Sequence, residues 1–310
     1  MRTVVAIWLV LLPGAASPSA EASSREPRFL NFWVRDRHDI YVRDLDMEEV
    51  ELKLDGQPTD IRYFGYRNVS TTFAVVLENS PRTAQYAVSQ PQLGQTNLID
   101  RVRYLLLDDF FGPITAIGPC LLAQFDREVE PVQHFTSDPD LLINAVHRIK
   151  PQPRGLTVDY IEVGRVIARA ADLLQQRDER RKILILFAST IDRQSYNNMQ
   201  EYQDMLRLFD VELFVVSFAP RTNLRLGASF EEKNNAYFFK RLAGETAGKA
   251  VMTGEYTYLE ELFTELKGQI MNYYTVGFYV DAAAPATEHE VELSVDRKKA
   301  RVTHRKVLIY

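Results

Sequence analysis

Glu78, Ser80 and Arg82 occupy alternate positions in the run Glu78-Asn79-Ser80-Pro81-Arg82. An acid and a hydroxyl two residues apart offer oxygen atoms of the kind that hard divalent cations take, whereas the arginine offers a fixed positive charge at the same corner. Other chemistry has no foothold in the sequence. His38, His134, His147, His289 and His304 are isolated, so no zinc spacing exists, and there is neither a phosphate-cradling glycine loop nor a G-x-S-x-G elbow. Asp108-Asp109 and Glu231-Glu232 read as solvated helix-end and loop pairs, and Tyr256, Tyr258, Tyr273 and Tyr274 as packing at the edge of a core.

What positions the Glu78 corner is the apolar run immediately before it, Phe73-Ala-Val-Val-Leu77. Five apolar residues stopped by Asn and Pro are too few for a helix and read as a central parallel strand. Open α/β sheets bind ligands beyond the carboxyl ends of their strands, which makes residues 78–82 the place to expect a site.

The 310 residues are 46% hydrophobic and 25% charged, an ordinary globular composition with length for one large domain and a smaller module. Residues 1–22 read as a secretory signal peptide. Arg2 precedes an apolar run from Val4 to Leu12, small residues follow, and Ala20-Glu21-Ala22 fits the cleavage pattern. That run is about half of the roughly 20 residues a membrane span needs. The expected address is therefore secreted and extracytoplasmic, periplasmic or extracellular, with an uncleaved anchor as the alternative and no transmembrane span once the signal is removed. The lone Cys120 cannot form an internal disulfide and sits in an apolar run as a small hydrophobe. A net charge of −5 argues against nucleic acid as the main partner. Arg297, Lys298, Lys299 and Arg301 form a local basic exception, read as a solvated turn or a weak contact for an anionic surface.

Along the chain, residues 29–67 have β character and include the turn signal Asp55-Gly56 between the strands at 50–54 and 61–64. Pro81 to Thr96 reads as a polar loop. Helical spacing from Leu98 to Phe110, a strand from Thr115 to Phe125 and its hairpin partner from Glu128 to His134 follow. Ser137-Asp138-Pro139 caps a short helix to Arg148. Helices are then expected over 159–177, 196–209, 234–247 (ended by Gly248) and 258–273, alternating with strands at 182–188, 211–218 and 249–252. Residues 72–273 thus demand a doubly wound, mostly parallel α/β sheet. Residues 274–310 return to β at 275–280, 290–295 and 300–308, and are expected to join the N-terminal strands in one small β module.

These features resemble the von Willebrand factor A domain. The carriers are Phe73-Ala-Val-Val-Leu-Glu-Asn-Ser and Lys182-Ile-Leu-Ile-Leu-Phe, and the flanks Val34-Arg-Asp-Arg-His-Asp-Ile-Tyr-Val-Arg-Asp-Leu, Leu54-Asp-Gly-Gln-Pro-Thr-Asp-Ile and Tyr274-Thr-Val-Gly-Phe-Tyr are similar to secreted bacterial VWFA-related proteins. The resemblance implies a metal-ion-dependent adhesion site written D-x-S-x-S, with a Thr and an Asp from later loops around Mg²⁺. Carried over, its first Asp falls on Glu78, its serines on Ser80 and Arg82, its Thr on Thr157, and its last Asp on Ser189, or on Ala188 one residue back. Glu is one methylene too long for near-ideal Mg²⁺ geometry, and Arg82 brings its own charge. Arg82 either takes the cation's electrostatic role beside Glu78 or extends to solvent. The reading is a non-enzymatic protein-interaction module of this fold with a degenerate site, no cofactor and an unidentified protein partner. Its alternative is a Mg²⁺-dependent adhesion domain using Glu78, Ser80 and Thr157.

Overall fold

The computed structural model describes residues 25–81, 83, 87–90, 94–108, 110–153, 161–189, 191–217, 230–252, 259–281 and 287–310. The signal segment, Arg82 and Thr157 lie outside them. The strands are β1 (Arg25–Arg35), β2 (Val50–Leu54), β3 (Gln57–Pro58), β4 (Tyr63–Tyr66), β5 (Thr71–Glu78), β6 (Ala87–Gln90), β7 (Gly94–Asn97), β8 (Cys120–Phe125), β9 (Val129–Thr136), β10 (Arg181–Ala188), β11 (Val211–Ser217), β12 (Lys249–Met252), β13 (Tyr274–Asp281), β14 (Glu288–Val295), β15 (Arg301–His304) and β16 (Val307–Ile309). The helices are α1 (Leu98–Leu107), α2 (Phe111–Thr115), α3 (Pro139–Arg148), α4 (Val163–Gln175), α5 (Arg193–Asn197), α6 (Met199–Leu208), α7 (Phe230–Glu245) and α8 (Leu259–Met271).

The main sheet has the order β12-β11-β10-β5-β8-β9, parallel throughout except for β9, which pairs antiparallel with β8. Every residue of β5 is buried because successive side chains leave a strand on opposite faces and both faces are covered. Phe73, Val75 and Leu77 pack with α1, α3 and α8, while Ala74 and Val76 pack with α4, α6 and α7. Strand order therefore reverses between β5 and β10, and the crevice at that switch point opens at their carboxyl ends.

The strands of the two chain ends form two further sheets, β15-β1-β13-β4 and β16-β14-β2-β3. They close on one apolar cluster that includes Leu30, Phe32, Leu52, Tyr274, Val276, Phe278, Val291 and Leu293. Each end supplies strands to both sheets, so neither end can bury this cluster alone.

Several local expectations are corrected. Residues 87–97 include a hairpin, β6 with β7. It pairs only with itself, so the polar sequence carries no burial period to announce it. The strand expected from Thr115 begins at Cys120, and Phe111–Thr115 is helical, with Pro113 in a first turn where its missing N–H is tolerated. The single helix expected over 196–209 is broken at Asn198 into α5 and α6. Asp55 and Gly56, at φ 49° and 74°, make the two-residue turn, yet it joins β2 to β3 and not to β4, which lies in the other sheet. At the end of α7 the left-handed residue is Ala247, φ 59°; Gly248 is needed because a Cβ there would strike the carbonyl of Leu213. The strand expected over 300–308 is two, because the chain crosses from one small sheet to the other at Arg305.

The main sheet meets the β module at a buried ion pair. Arg181 at the start of β10 and Glu212 at the start of β11 bond through two guanidinium nitrogens, with Nη2 to Oε2 at 2.8 Å, and their side chains are 0% and 5% exposed. Asn31 of β1 donates to Glu212 Oε1 (2.9 Å), Arg181 donates to the Ile270 carbonyl (2.9 Å), and the guanidinium lies 3.8 Å over the Tyr273 ring. Removing one partner leaves an uncompensated buried charge, so Arg181→Met is expected to cost about 3–5 kcal/mol in urea denaturation. Arg181→Met with Glu212→Leu should recover most of that loss.

His304, 4% exposed, sits at the crossing between β15 and β16. Its Nδ1–H faces the Arg305 carbonyl (2.7 Å) and its Nε2 accepts from the Leu293 N–H (3.3 Å), which only the neutral ring satisfies. Burial, with the ammonium of Lys306 nearby, holds its pKa below the ordinary value despite the Arg305 carbonyl. The unfolded chain therefore takes up the proton first. The stabilisation is complete above the unfolded value of about 6.5 and is lost as pH falls toward the folded one. The urea midpoint should decline below about pH 6.5 in the wild type and decline less in His304→Gln.

Candidate functional site

The parallel register pairs Leu77 of β5 with Phe187 of β10, so the next residues along, Glu78 and Ala188, face each other where the strands end. One residue further, the chain after β10 turns Ser189 back toward β5. The extra methylene of Glu78 spans the remaining gap. Its Oε2 accepts the Ser189 backbone N–H (2.5 Å), and its Oε1 accepts the hydroxyls of Ser189 (2.9 Å) and Ser80 (2.6 Å). Glu78 is 2% exposed and both serines are fully buried, so these bonds are shielded from water.

Ser189 is held from the other side as well. Its carbonyl accepts from Ser217 Oγ (3.0 Å) at the end of β11 and from Asn235 Nδ2 (3.3 Å) of α7. Asn235 also donates to Ser217 Oγ (2.9 Å) and accepts from the Ile191 N–H (3.1 Å). Asp192, 5% exposed, then takes the N–H of Ser195 (2.7 Å), capping α5, and the N–H of Val163 (2.9 Å) at the start of α4. Buried hydrogen bonds thus run from β5 across the switch point to β11 and α7, and the neighbouring Asp192 anchors the start of α4 through its own.

Of the residues expected here, the structure brings together Glu78, Ser80 and Ser189. Arg82 and Thr157 lie outside the described residues. Ala188, the one-residue alternative, is a buried strand residue in the core against α4, α6 and α7 and has no polar side chain. Asn79, Asp192, Ser195, Ser217 and Asn235 were not foreseen. Asp192 with Ser195 three residues later is a helix-cap spacing that could have been read, whereas a lone Asn in a helix has no such signal.

Whether a hard cation fits depends on the oxygens. A carboxylate has about four lone-pair directions, and three at Glu78 are already taken by protein donors. Mg²⁺ would have to displace donors or bind on the direction left over, and it tolerates little departure from octahedral geometry. Among the described residues no group of three or more His, Cys, Asp or Glu is placed to hold a metal. One buried oxygen does want a donor: Asn79 Oδ1 has no partner, while its amide nitrogen serves Gln124 Oε1 and the Lys150 carbonyl, both at 3.0 Å.

Beside this corner a cleft of about 630 Å³ opens between the β8–β9 turn and α4, with Arg127, Glu128, Glu162, Arg165 and Arg169 on its walls. The C-terminal basic cluster is partly spent. Arg297 pairs with Glu49 (2.6 Å) and Asp44 (2.7 Å) and Arg301 with Asp39 (2.5 Å), leaving Lys298 and Lys299 as its exposed members without a described acid. No described helix is long and apolar enough to cross a membrane.

No family model matches the chain, and no curated protein matches it. Among solved structures it is similar to the PilB minor pilin from Streptococcus sanguinis, at 13% identity and a TM-score of 0.49, over 66% of this chain. The chain spans 61% of that pilin's length. It is also similar to a von Willebrand factor type A protein from Catenulispora acidiphila (10% identity, TM-score 0.46, 93% of this chain and 74% of that one). A third likeness is to proximal thread matrix protein 1 of the mussel byssus, whose own adhesion-site motif holds zinc (11%, 0.48, 77% and 50%). These are likenesses of fold. The doubly wound, mostly parallel sheet with its one antiparallel edge strand is the α/β class expected from the sequence.

Because both oxygens of Glu78 are in use, Glu78→Gln, which turns one acceptor into a donor facing a donor, is expected to lower unfolding free energy by about 1–3 kcal/mol. Ser189→Ala, which keeps the backbone bond, should cost about 1 kcal/mol. The double variant should fall short of the sum by at least about 0.5 kcal/mol in urea denaturation, as residues sharing one network do.

Proposed function

We propose that this protein is an extracytoplasmic, non-enzymatic interaction module that binds a protein partner through the loops at the carboxyl end of its main sheet, without a resident metal ion. The observation that carries the reading is the Glu78 carboxylate, engaged by Ser80 and by both donors of Ser189 at the switch point. Where an adhesion site would hold a cation between oxygen ligands, these ligands hold one another. The binding face is then made of residues 78–96, 154–158 and 188–196, or of the β module. Extracytoplasmic placement rests on the signal character of residues 1–22, and a protein partner rests on the acidic balance and on the absence of any catalytic constellation in the sequence.

Thermal unfolding in EDTA and then in millimolar Mg²⁺, Mn²⁺ and Ca²⁺ tests the reading. A ligand at 100 times its dissociation constant stabilises the folded state by about 2.7 kcal/mol, and each kcal/mol is worth about 2–4 °C at this size. No metal-dependent rise is expected. A reproducible rise of several degrees with one metal would replace the reading with a Mg²⁺-type adhesion site in which Glu78, Ser80 and Thr157 are ligands.

A further inference from the structure

At the opposite end of the main sheet, four arginines converge on a cleft of about 210 Å³ between the sheet and the β module: Arg28 from β1, Arg180 before β10, Arg207 from α6 and Arg305 between β15 and β16. Asp210 is the one acid on its walls. It pairs with Arg305 (2.8 Å), while Arg207 pairs outside the cleft lining with Glu245 (2.7 Å) and Glu288 (2.9 Å), and Arg28 with Glu26 (2.8 Å). Arg180 pairs with no described carboxylate; its guanidinium lies 4.1 Å over the ring of Phe29. The Nε–H groups of Arg28 and Arg207 are buried without a partner, and the Arg207 side chain is 9% exposed.

The cleft lining carries four arginines against one aspartate, and Arg180 among them faces no described carboxylate. We infer that this cleft binds a phosphate group, as free phosphate or as the phosphate of a small organic ester. A tetrahedral dianion accepts from several guanidinium forks at once, and stacking on Phe29 holds the Arg180 plane while leaving its edge donors free. At about 30 Å³ per water, the cleft holds about seven waters' volume, enough for a phosphate and a few attached atoms. A phosphate here lies between β1 on one side and Arg180, Arg207 and Asp210 of the main domain on the other, so it bridges the β module and the main domain. The inference is independent of the Glu78 corner.

Titration calorimetry of the full chain tests it, with inorganic phosphate and glycerol 3-phosphate as separate probes at fixed ionic strength, and chloride as the reference. Saturable one-site binding of at least one probe is expected, weakened at least tenfold in Arg180→Ala and partly restored in Arg180→Lys. Arg180 holds no ion pair with a described acid, so its removal leaves the folded state in place, to be checked by an unchanged circular dichroism spectrum. Tighter binding of the ester identifies a phosphorylated compound, and equal binding identifies the free anion. Absence of saturable binding by either probe, or equal binding by wild type and Arg180→Ala, overturns the inference.

Discussion

A buried carboxylate must be compensated, and at the carboxyl end of the main sheet the compensation comes from the protein itself. Glu78 is 2% exposed, with Ser80 at one oxygen and Ser189 at both. An unpaired carboxylate there would be costly, which constrains the backbone of two strands at once. β5 must end where its last residue faces β10, and the chain after β10 must turn so that Ser189 presents its N–H and hydroxyl together. Ser217 and Asn235 fix that turn from behind, and Asp192 carries the order on to the start of α4. At the switch point both Glu78 oxygens are thereby met by the protein's own donors.

The other end of the sheet carries a second constraint of the same kind. Arg181 and Glu212 are buried between the main sheet and the β module, and Asn31 of β1 bonds to the same carboxylate. The module adds one bond to the pair, from Asn31 to Glu212 Oε1, and Asn31 is itself held by the Thr275 hydroxyl (2.7 Å), also of the module. The ion pair thus ties the orientation of the module to the register of β10 and β11.

Much of this fold was legible because its central strands are continuous apolar runs, which two covered faces require, and because helices of period 3.6 separate them. The likeness to von Willebrand factor A domains rested on such runs and on the flanking strands. The short hairpin of β6 and β7, whose sequence is polar, was hidden, and so was the break at Asn198, which no Gly or Pro marks. At the site, Glu78, Ser80 and Ser189 could be proposed from position. That Ser189 offers two donors and not a ligand depends on a turn the sequence does not encode locally. Asn235 was invisible for a related reason: a buried amide on a helix is recognised only when its partners, which lie 18 to 46 residues away, are in place.

Glu78 spends its oxygens on protein donors. A crystal structure grown in Mn²⁺, with anomalous scattering recorded at the manganese edge, tests it most directly. No anomalous peak is expected at coordination distance from Glu78 or Ser80, and the Glu78 Oε2 to Ser189 N bond is expected to stay near 2.5 Å. A peak bonded to oxygens of Glu78 and Ser80, with Ser189 displaced from the carboxylate, would contradict it.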